Sequence, residues 1–221
     1  MKLDIACSTD NNYLQHCSAM LCSVFENNKE HDITVHLLHH GLSSDSQSFL
    51  VELANRYGDT ILFYDIDLNR LGEVAVDEHW HPTLSIASYY RLLLASLLDE
   101  SIEKVFYLDC DVIVLGDVSP LFKLDLSGYG VAAVEDTTPG NDQHRQAMGL
   151  NLNQTAFCSG VLMVNLKYWR GFNCEQHLLD YAQRMAGQLV MEDQDVLNHE
   201  FRGHWFKLPY KYMRKIGRAH V

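Results

Sequence analysis

Positive charge is scarce in this sequence: 17 Lys and Arg stand against 29 Asp and Glu in 221 residues, a formal net charge of −12. The few cations form no stripe. Nucleic acid is held by clustered cations that displace counterions, so no nucleic acid is expected as a partner. A phosphorylated small molecule can still bind through a metal ion or a few placed cations. Long apolar runs are also missing. No stretch reaches the roughly 18 residues of a membrane span, and Met1-Lys2-Leu3-Asp4 opens no signal peptide. The six cysteines (Cys7, Cys17, Cys22, Cys110, Cys158 and Cys174) include no C-x-x-C and read as free thiols of a reducing, cytosolic compartment. The Asn153-Gln154-Thr155 sequon is then coincidence. Neither G-x-G-x-x-G nor G-x-x-x-x-G-K-[ST] occurs, so dinucleotide and P-loop readings lack their glycines. Histidine is plentiful at twelve, but neither His36, His39 and His40 nor His79-Trp80-His81 has the companions of a zinc site. No internal repeat or low-complexity linker divides the chain.

What is present is an alternation of strand and helix. Apolar strands are expected at residues 3–7, 33–38, 60–64, 104–108, 131–134 and 160–165. Helices are expected at 12–27, from Ser43 or Ser44 to about Tyr57, at 88–98, 175–187 and 193–201. Such alternation argues for one α/β domain with a mostly parallel sheet, in which ligands sit beyond the carboxyl ends of strands.

Four stretches carry polar residues at such places. After the apolar Lys104–Leu108 comes Asp109-Cys110-Asp111. If extended, both carboxylates share a face and suit a divalent ion such as Mg²⁺ or Mn²⁺; the alternative is a solvated turn. Asp10-Asn11-Asn12-Tyr13 follows the first strand. It either offers acceptors and a stacking ring to a base or caps the next helix. Ser88-Tyr89-Tyr90-Arg91 opens an apolar helix with a cation where acids are favoured. That calls for an anion nearby, a phosphate or a protein carboxylate. In Met191–Asn198, Asp193 suits an N-cap and Gln194 the first turn.

Taken in order, these stretches resemble glycosyltransferase family 8, which includes bacterial lipopolysaccharide galactosyl- and glucosyltransferases and glycogenin. The resemblance spans Ala6 to about Tyr212. Asp10–Tyr13 is similar to the family's uridine-binding segment, Ser88–Arg91 to its Thr/Ser-Tyr-x-Arg helix start, and Tyr107–Asp111 to its metal-binding Asp-x-Asp. Phe157–Leu166 with Trp169-Arg170 resembles Phe-Asn-Ala/Ser-Gly-Val and its strand, and Asp193–Asn198 the Asp-Gln-Asp helix. The implied fold is a Rossmann-like GT-A nucleotide-diphospho-sugar transferase domain with a mixed, mostly parallel sheet. The implied reaction is retaining transfer of galactose or glucose from a UDP-hexose to the hydroxyl of a glycan or lipid-linked glycan acceptor, in lipopolysaccharide or other surface-glycan synthesis. By this resemblance Asp109 and Asp111 hold Mn²⁺ (or Mg²⁺), Tyr13 stacks on uracil, and Asp10 and Asn12 bind the nucleoside. Arg91, Asp193 and Asp136 orient the sugar, Ser159 and Gly160 line its site, and Gln194 sits at the anomeric carbon, as nucleophile or electrostatic stabiliser.

Two departures stand out. Cys158 replaces the usual Asn, and no H-x-x-G-x-x-K-P-W segment supplies a third metal ligand; His220 lacks that context. Ile216–Val221 reads either as the translation of one frame of a sequencing adapter or as a genuine tail. The expectation is a catalytic domain over 1–215 whose C-terminal part is missing, followed by a non-native tail at 216–221. Lys207, Lys211, Arg214 and Lys215, with Trp205, Phe206, Tyr210 and Tyr212, read as the start of a tail touching the inner face of the plasma membrane from the cytoplasm, or as a solvated domain end. A sugar nucleotidyltransferase and a non-catalytic UDP-sugar-binding protein are the rival functions.

Overall fold

Side-chain parity along the strands decides how the layers stack. The strands are β1 (Lys2–Ser8), β2 (Asp32–His39), β3 (Thr60–Asp65), β4 (Lys104–Leu108), β5 (Val131–Glu135), β6 (Phe157–Asn165) and β7 (Trp205–Leu208). In β4, Val105 and Tyr107 join one buried cluster, and Phe106 and Leu108 another. In β5 the same parity separates Val131 and Ala133 from Ala132 and Val134. Both faces are covered, which is why the strands read as nearly continuous apolar runs. The computed structural model describes residues 1–72, 74, 86–137, 148–151 and 154–213.

The seven strands form one sheet in the order β3-β2-β1-β4-β6-β5-β7. Every neighbouring pair is parallel except those made by β6, which runs antiparallel between β4 and β5. The sheet is thus mixed and mostly parallel, as expected. Helices α1 (Leu14–Asn27) and α2 (Ser44–Asn55) cover one face. In α1 the buried residues Cys17, Met20, Leu21, Val24 and Phe25 repeat at helical spacing. Of the short helices α3 (Leu94–Leu97) and α4 (Ser119–Phe122), α3 lies on the opposite face. There it is joined by α5 (Leu166–Gly171), α6 (Cys174–Arg184) and α7 (Asp193–Phe201). The six cysteines are free thiols, and all but Cys22 are buried. Among the described residues no helix is long and apolar enough to cross a membrane.

Several boundaries differ from the sequence expectation. The helix expected over 88–98 is an eight-residue 3₁₀ helix, Ile86–Leu93, followed by α3. In a 3₁₀ helix residues three apart eclipse, and Arg91 Nε accordingly donates to the Ser88 carbonyl at 2.9 Å. The strand expected from Gly160 begins at Phe157, whose N–H and C=O are taken by the Asn198 side chain on the side away from β5. The helix expected to reach Gly187 ends at Arg184. α5 is too short to show a period and is set by Asn165, whose side chain accepts from the Tyr168 N–H. The sequence left this segment open between the start of a tail and a solvated domain end; in the structure residues 205–208 form β7, where Trp205 packs on one core and Phe206 on the other. Trp205, Phe206 and Lys207 of that basic, aromatic cluster thus lie in the edge strand, and Tyr210, Lys211 and Tyr212 in a 3₁₀ helix after it; Arg214, Lys215 and 216–221 lie outside the described residues.

Candidate active site

The carboxyl ends of β1, β4 and β5, with the start of β6, converge on one edge of the sheet. Asp109 continues the β4–β6 pairing by one residue, its N–H donating to the Gly160 carbonyl at 2.9 Å. The chain then turns, with Val112 N–H reaching back to the Asp109 carbonyl. The extended geometry expected for Asp-x-Asp is therefore replaced by a turn. Cys110 points inward, its thiol donating to the Ser8 carbonyl, while Asp111 is exposed at the rim. The protein wall and then the like charge of Asp109 push the Asp111 carboxyl up.

Arg91 is the centre of the site. It is 4% exposed. Nη2 donates to Asp109 Oδ1 at 2.6 Å, Nη1 to the Ser159 carbonyl at 2.7 Å, and Nε lies 3.2 Å from Asp193 Oδ2. The guanidinium carbon stands 4.3 Å from the centre of the Tyr107 ring, and the Tyr107 hydroxyl is tied to Ser8 Oγ. Burial works against the Arg91 charge, but Asp109 and Asp193 more than reverse that effect and hold it above the ordinary arginine value. Arg91 thus has protein carboxylates, Asp109 and Asp193, among the anions that its place in the sequence calls for.

Asp193 was expected as an N-cap but is the first residue of α7; the cap position is Glu192, at φ 46°. The Asp193 carboxylate turns instead to the stronger partner, Arg91. Burial raises its pKa to about 6, with Arg91 opposing and Asp109 adding to the rise. The turn before α7 is held by Asp195, whose Oδ2 accepts from the N–H groups of Val190 and Met191. Gln194 Oε1 accepts from the Ser159 N–H at 3.1 Å, and Nε2 donates to Asp136 Oδ2 at 3.3 Å. Asn198, one turn on, donates to the Gln194 carbonyl while clamping both backbone groups of Phe157. That clamp fixes α7 against β6 so that Gln194 meets Ser159.

Ser159 is thus engaged through its amide by Gln194 and through its carbonyl by Arg91. Its hydroxyl acts to lower the Asp193 pKa, against the rise that burial causes. Gly160 provides clearance: a Cβ there would stand 2.6 Å from Asp109 Oδ2. The structure places both residues beneath the carboxylates, supporting them.

At the end of β1, Asp10 Oδ1 accepts from the N–H groups of Asn12 and Tyr13, both at 2.9 Å, which closes the turn before α1; the N-cap position of α1 itself is Tyr13, with no side-chain cap. Asn11 ties this turn to the β2–α2 loop through Gly41, Ser43 and Ser46. Asn12 is exposed. Tyr13 stacks on His16 with centroids 4.5 Å apart. Partial burial raises the Tyr13 phenol, and next come the charge of Asp111 and contributions from Cys110, Asp10 and Asp109. The phenol therefore faces both the first segment and the Asp109–Asp111 turn.

The sequence reading missed Tyr107, Asp195, Asn198 and Glu192. Their signal was their place inside motifs already singled out. Of the histidines, His36 lies between Asp4 and Tyr64, and His39 faces Asp65. His79, Trp80, His81 and His220 lie outside the described residues. Among the described residues no group of three or more His, Cys, Asp or Glu is placed to hold a metal ion. Asp109 and Asp111 would offer two hard oxygen ligands to an ion whose other ligands are water and substrate phosphate.

The family model for glycosyl transferase family 8 matches residues 4–215. The chain is 31% identical over 212 residues to general stress protein A of Bacillus subtilis (strain 168), covering 93% of this chain and 71% of that protein. It is 26% identical to a lipopolysaccharide 1,2-glucosyltransferase of Escherichia coli, covering 95% of this chain and 61% of the enzyme's length. The fold matches the crystal structure of the galactosyltransferase LgtC in complex with donor and acceptor sugar analogues, with a TM-score of 0.82 at 26% identity, covering 95% of this chain and 74% of that one.

Proposed function

Since the chain belongs to glycosyl transferase family 8, we propose that it transfers galactose or glucose from a UDP-sugar to the hydroxyl of a glycan acceptor, with retention at the anomeric carbon. The observation that carries this reading is the single guanidinium of Arg91 joining Asp109 to Asp193, with Gln194 one residue on. It brings the Asp-x-Asp turn and the start of α7 into one site.

Asp109 and Asp111 would hold Mn²⁺ or Mg²⁺. Such an ion, when bound, draws charge from a departing diphosphate. Arg91 fixes one oxygen of Asp109, so the carboxylate is oriented before ligand arrives. Asp10 and Asn12 would meet the nucleoside, with the Tyr13 ring against the base. Asp193 and Asp136 carry acceptor oxygens suited to sugar hydroxyls. The Gln194 amide is held between Ser159 and Asp136, where its dipole can face the reacting carbon. The similarity to a lipopolysaccharide glucosyltransferase supports surface-glycan synthesis as the setting, in the cytoplasm at the inner membrane face.

Retention is tested by proton NMR of the transfer product. UDP-glucose and UDP-galactose carry their sugar in the α configuration, so an α-linked product is expected. A β-linked product would overturn the retaining reading.

A further inference from the structure

This inference rests on the transferase reading. Sheet order ranks what lies along the ligand edge. Asp10–Tyr13 follows β1, Asp109 and Asp111 follow β4, Ser159 is the third residue of β6, Asp136 follows β5, and Pro209-Tyr210 follows β7. A donor with its nucleoside at β1 and its diphosphate at β4 directs its sugar toward β6 and β5. The acceptor must then approach from beyond the sugar, toward the carboxyl ends of β5 and β7. Adjacent strands lie about 4.8 Å apart, so this side is within about one sugar ring of Asp136 and Gln194.

An unusual aromatic stands there. Tyr210 is 52% exposed, yet its hydroxyl is pinned, donating to Glu135 Oε2 at 2.9 Å. Lys207 Nζ donates to the same oxygen. Lys207 first, then Tyr210 and Thr155, hold the Glu135 carboxyl below the usual carboxylate range against partial burial, so it stays ionised at neutral pH. Glu135 directly precedes Asp136, which receives the Gln194 amide. The result is a flat apolar surface fixed at its tip, rimmed by a carboxylate and an ammonium. A pyranose has the matching shape, with C–H groups on its face and hydroxyls around its edge, and a pre-ordered ring loses little freedom on stacking.

We propose that Tyr210, with Glu135 and Lys207 at its rim, is the platform on which the acceptor's terminal sugar ring stacks.

The test is saturation-transfer NMR on the whole chain in the presence of UDP and Mn²⁺, with methyl β-D-glucopyranoside and methyl β-D-galactopyranoside as probes. At least one glycoside is expected to receive signal from the wild type. The signal should fall by about fivefold or more in Tyr210→Ala and survive in large part in Tyr210→Phe, which keeps the ring. UDP binding measured by calorimetry should be the same in all three proteins. Wild type that binds UDP but gives neither glycoside a signal overturns the platform and leaves the transferase reading standing. So does a signal that persists in Tyr210→Ala, or UDP binding that weakens along with it, since either makes Tyr210 only a strut of the sheet edge. Failure of the wild type to bind UDP removes the transferase reading and the platform with it.

Discussion

Arg91 donates from Nη2 to Asp109 Oδ1 across 2.6 Å. The guanidinium is buried, and on its other side it faces Asp193. Removing one partner of a buried ion pair strands the other charge and costs about 3–5 kcal/mol. Arg91→Met is therefore expected to lower unfolding free energy by about that amount in urea titrations. Arg91→Lys should also fall short of wild type, because one ammonium cannot reach Asp109, Asp193, Ser159 and Ser88 in the fork that guanidinium provides. Adding Asp193→Asn to Arg91→Met should recover part of the loss.

Gly160 lets the Asp109 carboxylate lie close against β6. An added methyl would meet Asp109 Oδ2 at 2.6 Å. Gly160→Ala is expected to rotate the carboxylate and weaken Mn²⁺-dependent UDP binding by about 10–100-fold, the usual range for disturbing a group that orients a metal ligand. Calorimetry with UDP, with and without Mn²⁺, measures it. Metal-independent UDP binding should change little.

Asp193 gives a pH signature in stability. Its folded pKa is about 6 against an ordinary value of 3.8, so the folded state holds the proton more tightly. Its contribution is fully present below about 3.8 and is lost as pH rises through about 6. The shift corresponds to about 3 kcal/mol. Unfolding free energies of wild type and Asp193→Asn, compared between pH 4 and pH 7, should converge at the acid end. The wild-type curve should fall more than the variant's as pH rises.

Strand and helix periodicity located the interior of the domain well, because β1, β2, β4 and β5 are buried on both faces and α1 shows a clear stripe. What it missed was set by tertiary partners. The 3₁₀ helix over Ile86–Leu93 has the same apolar content as an α-helix. Its apolar residues do not mark the tighter turns, and Arg91 within it is fastened to Asp109 and Asp193. The role of Arg170 was equally hidden: it donates to the carbonyls of Ala95, Leu98, Asp99, Glu100 and Ile102, which are remote in sequence.

For the site, the motifs named residues that the fold brings together, but not their orientation. Asp109, Asp193, Gln194, Ser159, Gly160, Arg91 and Asp136 do converge. Which groups face outward and which support them from below could not be read from spacing. Ser159 and Gly160 fall in the second set because β6 runs antiparallel beside β4.

The most direct test is UDP release from UDP-glucose and UDP-galactose by wild type and Asp109→Asn, with Mn²⁺ and with EDTA. The account predicts metal-dependent release from at least one donor, with Asp109→Asn slower by about 10²–10³-fold. Release that survives EDTA, or that is as fast in Asp109→Asn, would contradict the metal assignment. UDP binding with no release from either donor would make the protein a sugar-nucleotide binder and contradict the transferase reading.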